Sequence, residues 1–174
     1  KNPERLKLVM TMLATMRGIP QIFAGDEMMF TSKDLSQGHG GLRVDFPGGW
    51  TGDAKNLFTA EGRTGLEKEL FDYTQRLFQW RRGKSVIHNG HTMHFLSRDN
   101  TYAYFRYDDT DAVFVFINNS RGKKQVPWSH YAEIAEGLHD GRNVLTGEVA
   151  TVEPVRHLSS NSNVRRTDKP QPSR

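Results

Sequence analysis

The apolar positions of this chain keep two different periods, helical before Gly83 and alternating after it. Leu6, Val9, Met10, Leu13 and Met16 recur at helical spacing, Asn2 is a good N-cap, Pro3 suits the first helical position, and Gly18 stops the run. A helix is therefore predicted over 3–17. The apolar stretch 20–24 then reads as a short buried strand that ends in Asp26 and Glu27. Such a strand needs parallel neighbours on both sides for its backbone groups, and residues 25–174 offer none. The chain is accordingly expected to begin inside a domain. The clearest element lies at 64–82, where Thr64 and Glu67 form a capping box and Leu66, Leu70, Tyr73, Leu77 and Trp80 make one apolar stripe before Arg81, Arg82 and Gly83.

After Gly83 the stretches 92–97, 101–107 and 112–118, with weaker ones near Val126 and at 143–145 and 149–155, are rich in β-branched and aromatic residues. Turn signals at Asn89-Gly90, Asp99-Asn100, Asp140-Gly141 and Thr146-Gly147 separate them, which predicts an antiparallel sandwich. The segment 112–117 is apolar on both faces, so it is expected to be a central strand. Residues 25–63 form a glycine-rich stretch without periodicity, and Phe46, Trp50, Leu57 and Phe58 argue that this loop is ordered. From Ser159 onward there is almost nothing to bury, and 159–174 reads as a disordered basic tail.

Composition narrows the class. Over 174 residues, 36% apolar and 10% aromatic content is enough for a core. No run approaches the roughly 18 uncharged apolar residues of a membrane span. With no cysteine, disulfides, thiol catalysis and zinc–thiolate sites are excluded. The net charge of +4 sits in the tail, where five cations of 156–174 face only Asp168. No basic stripe remains for nucleic acid.

Several groups of residues carry candidate chemistry. Asp26 and Glu27 end the expected strand, where α/β folds place their sites, but adjacent residues point different ways and either acid/base work or hydrogen bonds to the loop would explain them. Arg43, Asp45, Phe46 and Trp50 suit a sugar, whose ring faces stack while its hydroxyls take directed bonds; a loop held by an ion pair and a buried Trp is the equal alternative. His88, His91 and His94 lack a carboxylate in the same hairpin and read as exposed hairpin histidines, with Asn89-Gly90 as the turn. Asp108, Asp109 and Asp111 lack the glycine and distal Glu of an EF-hand loop. Nucleophile and phosphate-loop signatures are missing.

Taken together, Arg17-Gly18-Ile19-Pro20-Gln21-Ile22-Phe23-Ala24-Gly25-Asp26-Glu27, Leu42-Arg43-Val44-Asp45-Phe46-Pro47-Gly48-Gly49-Trp50, Gly62-Arg63-Thr64 and Trp80-Arg81 resemble the C-terminal part of family 13 glycoside hydrolases, in the neopullulanase, cyclomaltodextrinase and periplasmic starch-utilisation α-amylase branch. The resemblance implies an α/β plus all-β chain: the last segment of a (β/α)8 barrel in 1–83, as helix, strand, long loop and helix, then an antiparallel β-sandwich, domain C, in 84–158. It implies that the three catalytic carboxylates of a retaining mechanism precede Lys1, so no catalytic residue falls in this chain. Asp26, Glu27, Arg43, Asp45 and Trp50 are then substrate-binding candidates at the rim of a cleft for α-1,4-linked glucans. The fragment alone is expected to be inactive and to hold no cofactor, calcium being a candidate for the full-length enzyme. The resemblance favours a periplasmic or secreted location. An isolated barrel segment is expected to pack non-natively or associate with another copy. The rival reading is a non-catalytic carbohydrate-binding or interaction module, with Tyr102, Tyr104 and Trp128 as a platform.

Overall fold

The computed structural model describes residues 2–32, 34–135, 137, 138 and 140–151. The tail 159–174, and nearly all of the stretch expected to close the sandwich, lie outside the described residues.

Helix α1, Pro3–Thr15, starts where the sequence predicts: the Asn2 side chain accepts a hydrogen bond from the Arg5 N–H at 3.2 Å. Helix α2, Gly65–Arg82, carries the Thr64/Glu67 capping box. The two helices pack through Met10, Ala14 and Leu77, with Tyr73, Phe78 and Trp80 around them. The Thr11 and Tyr73 hydroxyls meet at 2.7 Å across this contact. Arg81, buried on α2, donates to the carbonyls of Ala14 at 2.7 Å and Gly18 at 3.2 Å. Its cation thus satisfies two carbonyls at the C-terminal end of α1, where the helix dipole is negative.

Residues 19–23 do not form the expected strand. Ile19 is 96% and Phe23 55% exposed, while Ile22 alone of the stretch joins the α1/α2 core. A buried parallel strand exists only where neighbours take up its N–H and C=O groups, and no strand of the described residues lies beside this one.

Helix α3, Ser85–Asn89, leads into a three-stranded antiparallel sheet in the order β1, His91–His94; β2, Thr101–Tyr107; β3, Ala112–Asn118. Asn89-Gly90 therefore ends a helix instead of turning a hairpin. The Gly90 N–H reaches the Val86 carbonyl at 3.0 Å, and a Cβ on Gly90 would stand 2.4 Å from that oxygen. His88 bonds the Arg81 carbonyl through Nε2 at 3.0 Å. Between β1 and β2, Asp99 and Asn100 both take positive φ, 49° and 60°, as the two-residue turn requires.

Register explains the apolar content of β3. Tyr104 stands opposite Val115 and Tyr102 opposite Ile117, and this face meets Leu8 and Met12 of α1. Phe105 stands opposite Phe114 and Ala103 opposite Phe116, and this face packs on Tyr131 and Ala135. Those two come from a 3-10 turn, Trp128–Tyr131, and helix α4, Ala132–Ala135. Both faces of the sheet are covered, so a strand with two apolar faces need not be central. Among the described residues β3 is an edge and β2 the centre. A separate hairpin pairs β4, Asp140–Arg142, with β5, Val149–Thr151.

Two buried groups tie helices to the sheet. Arg106 is 1% exposed and donates to the Ile87 carbonyl at 2.7 Å and to Thr92 Oγ1, closing the end of α3 onto β2. The Tyr104 hydroxyl, fully buried, lies 2.5 Å from Thr15 Oγ1 of α1. Burial holds the Tyr104 phenol up at about 12, against an ordinary value near 10. The unfolded chain therefore releases this proton before the folded one does. Stability contributed by the neutral phenol is complete below about pH 10 and is lost as pH rises to about 12. Urea midpoints measured from pH 8 upward should fall in that window. Tyr104→Phe should flatten the fall while lowering the neutral-pH stability by about 1 kcal/mol for the lost hydrogen bond; an unchanged slope would contradict this assignment.

Candidate functional site

The loop 25–63 folds back on α2 around a cavity of about 730 Å³ lined by Met28, Met29, Phe30, Thr31, Arg43, Val44, Asp45, Pro47, Thr64, Leu66 and Glu67. Its first wall is a tight turn. The carbonyl of Gly25 accepts from the N–H groups of Met28 and Phe30, both at 3.0 Å. Gly25 has φ of 97°, and a Cβ there would stand 2.2 Å from the Phe30 ring, so only glycine lets that ring seat against the backbone.

Asp26 and Glu27 are used inside this turn. Asp26 Oδ2 accepts from the Phe23 N–H at 3.2 Å, and Glu27 Oε2 from the Gly25 N–H at 2.9 Å. Neither lines the cavity. They hold the loop, which is one of the two roles their spacing allowed.

The second wall is built on a row of rings. Phe30 lies 5.6 Å from Phe46, and Phe46 4.5 Å from Phe58, between ring centres. Buried Leu57 fixes the loop to Pro47, its N–H reaching the Pro47 carbonyl at 2.9 Å. Arg63 bonds the Leu57 carbonyl at 2.8 Å and lies 3.8 Å over the Phe71 ring. These contacts carry the chain from Arg43 and Asp45 to the N-terminus of α2, so that both residues line the same space as Thr64 and Glu67.

Arg43 and Asp45 are brought together, as the sequence suggests; Trp50 is not with them. Trp50 is 81% exposed and outside the cavity lining. The structure adds Thr31, Thr64 and Glu67 as polar lining. Thr64 and Glu67 are visible in sequence only as a helix cap. Glu67 is also committed to Lys55, whose Nζ lies 2.5 Å from Oε2. A guanidinium, hydroxyls and an acidic oxygen beside Met28, Phe30 and Leu66 offer donors, acceptors and apolar surface together, which is an arrangement for binding polyhydroxylated ligands.

The other candidates are placed elsewhere. Asp108 takes the N–H groups of Thr110 and Asp111 at 2.9 Å, which draws its carboxyl below the usual range, and Asp111 pairs with Lys84 at 3.0 Å. Among the described residues no three of His, Asp and Glu gather as a metal site. Tyr104 is buried and Trp128 packs on Phe114 at 4.8 Å and on Tyr131, so with Tyr102 they form core and no exposed platform. No helix of the described residues is long and apolar enough to cross a membrane.

Comparison with known proteins places this architecture. Residues 92–164 match the family described as the cyclo-malto-dextrinase C-terminal domain. The fold is similar to that of an α-amylase from Anoxybacillus, at 24% identity and a TM-score of 0.58 over 86% of this chain and 28% of that one. It is also similar to AmyP in complex with maltose, at 18% identity and a TM-score of 0.64 over 87% of this chain and 31% of that one. A complex of AmyP E221Q with maltotriose matches at 18% identity and 0.62 over the same shares. The chain thus spans under a third of the length of these structures. In its C-terminal family match and in its fold, it resembles the C-terminal portion of family 13 glycoside hydrolases.

Proposed function

We propose that this chain is the C-terminal portion of an α-glucan hydrolase that cleaves α-1,4-glucosidic bonds by a retaining mechanism. In this reading 1–83 complete a (β/α)8 barrel, 84–158 form domain C, and the Arg43/Asp45 cavity is part of the cleft rim. The observation that carries it is the match of 92–164 to a cyclo-malto-dextrinase C-terminal domain. The mixed polar and apolar lining near Arg43 supports a sugar ligand, and AmyP, similar in fold, is seen with maltose and maltotriose. Exposed Val9, Ile19 and Phe23 fit a surface that the rest of a barrel, or another copy, would cover.

Retaining hydrolysis needs two carboxyl groups about 5 Å apart across the glycosidic bond. Asp26 and Glu27 are consumed by backbone bonds and Glu67 by Lys55, so the described residues supply no such pair. The catalytic carboxylates belong to a longer polypeptide of which this chain is part. In that polypeptide Arg43→Ala with Asp45→Ala should raise KM for maltooligosaccharides about tenfold, through lost charge-assisted hydrogen bonds, with a smaller change in kcat. Steady-state kinetics decide; an unchanged KM would remove the cavity from the cleft.

A further inference from the structure

We propose that the groove between the β1–β2 turn and the segment 125–133 is a second, non-catalytic subsite for a short neutral oligosaccharide. It measures about 340 Å³ and shares no residue with the Arg43/Asp45 cavity. That is the lower end of the roughly 300–1,000 Å³ typical of ligand cavities, suited to one or two sugar rings.

Its chemistry selects the ligand. Phe95, Phe116 and Tyr131 supply aromatic wall; Phe95 and Tyr131 meet edge to face at 4.8 Å, which fixes both rings. Around them stand Arg98, Asp99, Gln125, His130 and Glu133, whose side chains form no hydrogen bond or ion pair with another described residue. A permanent cation and an amide offer donors, and two carboxylates and the amide offer acceptors. An anion would face Asp99 and Glu133, and a cation would face Arg98. Neither meets a matching field, and no three-group metal cluster exists among the described residues. Hydroxyls need both donors and acceptors, and the C–H face of a sugar ring fits an aromatic wall, so a neutral sugar satisfies the whole set. The subsite rests on the α-glucan reading only for its first probe.

The test is a titration of the isotope-labelled full chain with maltotriose, and separately with cellotriose, followed by backbone amide shifts. Shifts should appear around residues 95–101 and 125–133. His130→Ala with Glu133→Ala should weaken binding about fivefold or more, and Arg43→Ala with Asp45→Ala should leave it unchanged. Neither rim side chain is buried, so the variant keeps its fold. Binding of cellotriose without maltotriose supports the subsite while overturning the α-glucan reading. Absence of shifts with either sugar at tens of millimolar overturns the subsite, as does binding insensitive to the rim variant.

Discussion

Phe105→Ala is expected to lower the unfolding free energy by about 3–5 kcal/mol, the range for removing a buried ring and leaving a cavity. Phe105 has no exposed surface, stands opposite Phe114 with ring centres 4.7 Å apart, and contacts Phe95 at 6.1 Å. It is the centre of the face that carries Tyr131 and Ala135, so its loss frees the helical segment from the sheet as well as emptying the core. For a domain of this size such a change is a large fraction of total stability. Urea unfolding at constant m-value measures it. Phe105→Leu, closer in volume, should lose markedly less. A loss below about 1 kcal/mol for the alanine variant would mean that this face of the sheet is not a packed core.

The second large effect is expected at Gly62. A Cβ there would lie 1.6 Å from the Asn56 carbonyl oxygen, a backbone atom that no rotamer change can move aside. The Asn56 side chain meanwhile holds the Phe58 N–H at 3.0 Å, and Arg63 holds the Leu57 carbonyl, so the loop has no slack in the other direction. Gly62→Ala should cost about 3 kcal/mol, the upper end of overpacking penalties, and should release the loop that presents Arg43 and Asp45. Limited proteolysis within 48–62 reports the release directly. Gly122→Ala is the matched control, because a Cβ there meets nothing within 4 Å. Its stability should change by less than about 0.5 kcal/mol.

How far the sequence foretells this structure depends on how local the signal is. Helix α2 is legible because its cap, its apolar stripe and its basic end all lie within one element. Strands β2 and β3 are legible for the same reason, since their β-branched and aromatic runs and the Asp99-Asn100 turn are local. Elements that depend on partners are misread. The stretch 19–23 has strand composition but no neighbour, and Asn89-Gly90 has hairpin chemistry but ends α3. The segment after Val126 looks like a weak strand, yet Tyr131 and Ala135 stand four apart and turn one helical face onto the sheet. Arg106 gives no local sign of burial, because the carbonyls that receive it lie 19 and 20 residues away. At the site, Arg43 and Asp45 are found from their residue types. Thr64 and Glu67 are hidden by their capping role, and Trp50 is offered by type but placed in solvent.

If this chain completes an α-glucan hydrolase and carries none of its catalytic carboxylates, its activity must depend on the rest of that polypeptide. Release of reducing ends from maltooligosaccharides is therefore to be measured for the 174-residue chain and for the longer polypeptide that contains it. No turnover above buffer is expected for the chain, and hydrolysis with retained anomeric configuration is expected for the longer polypeptide. Turnover by the chain alone, or a longer polypeptide inert toward α-glucans, would contradict the assignment.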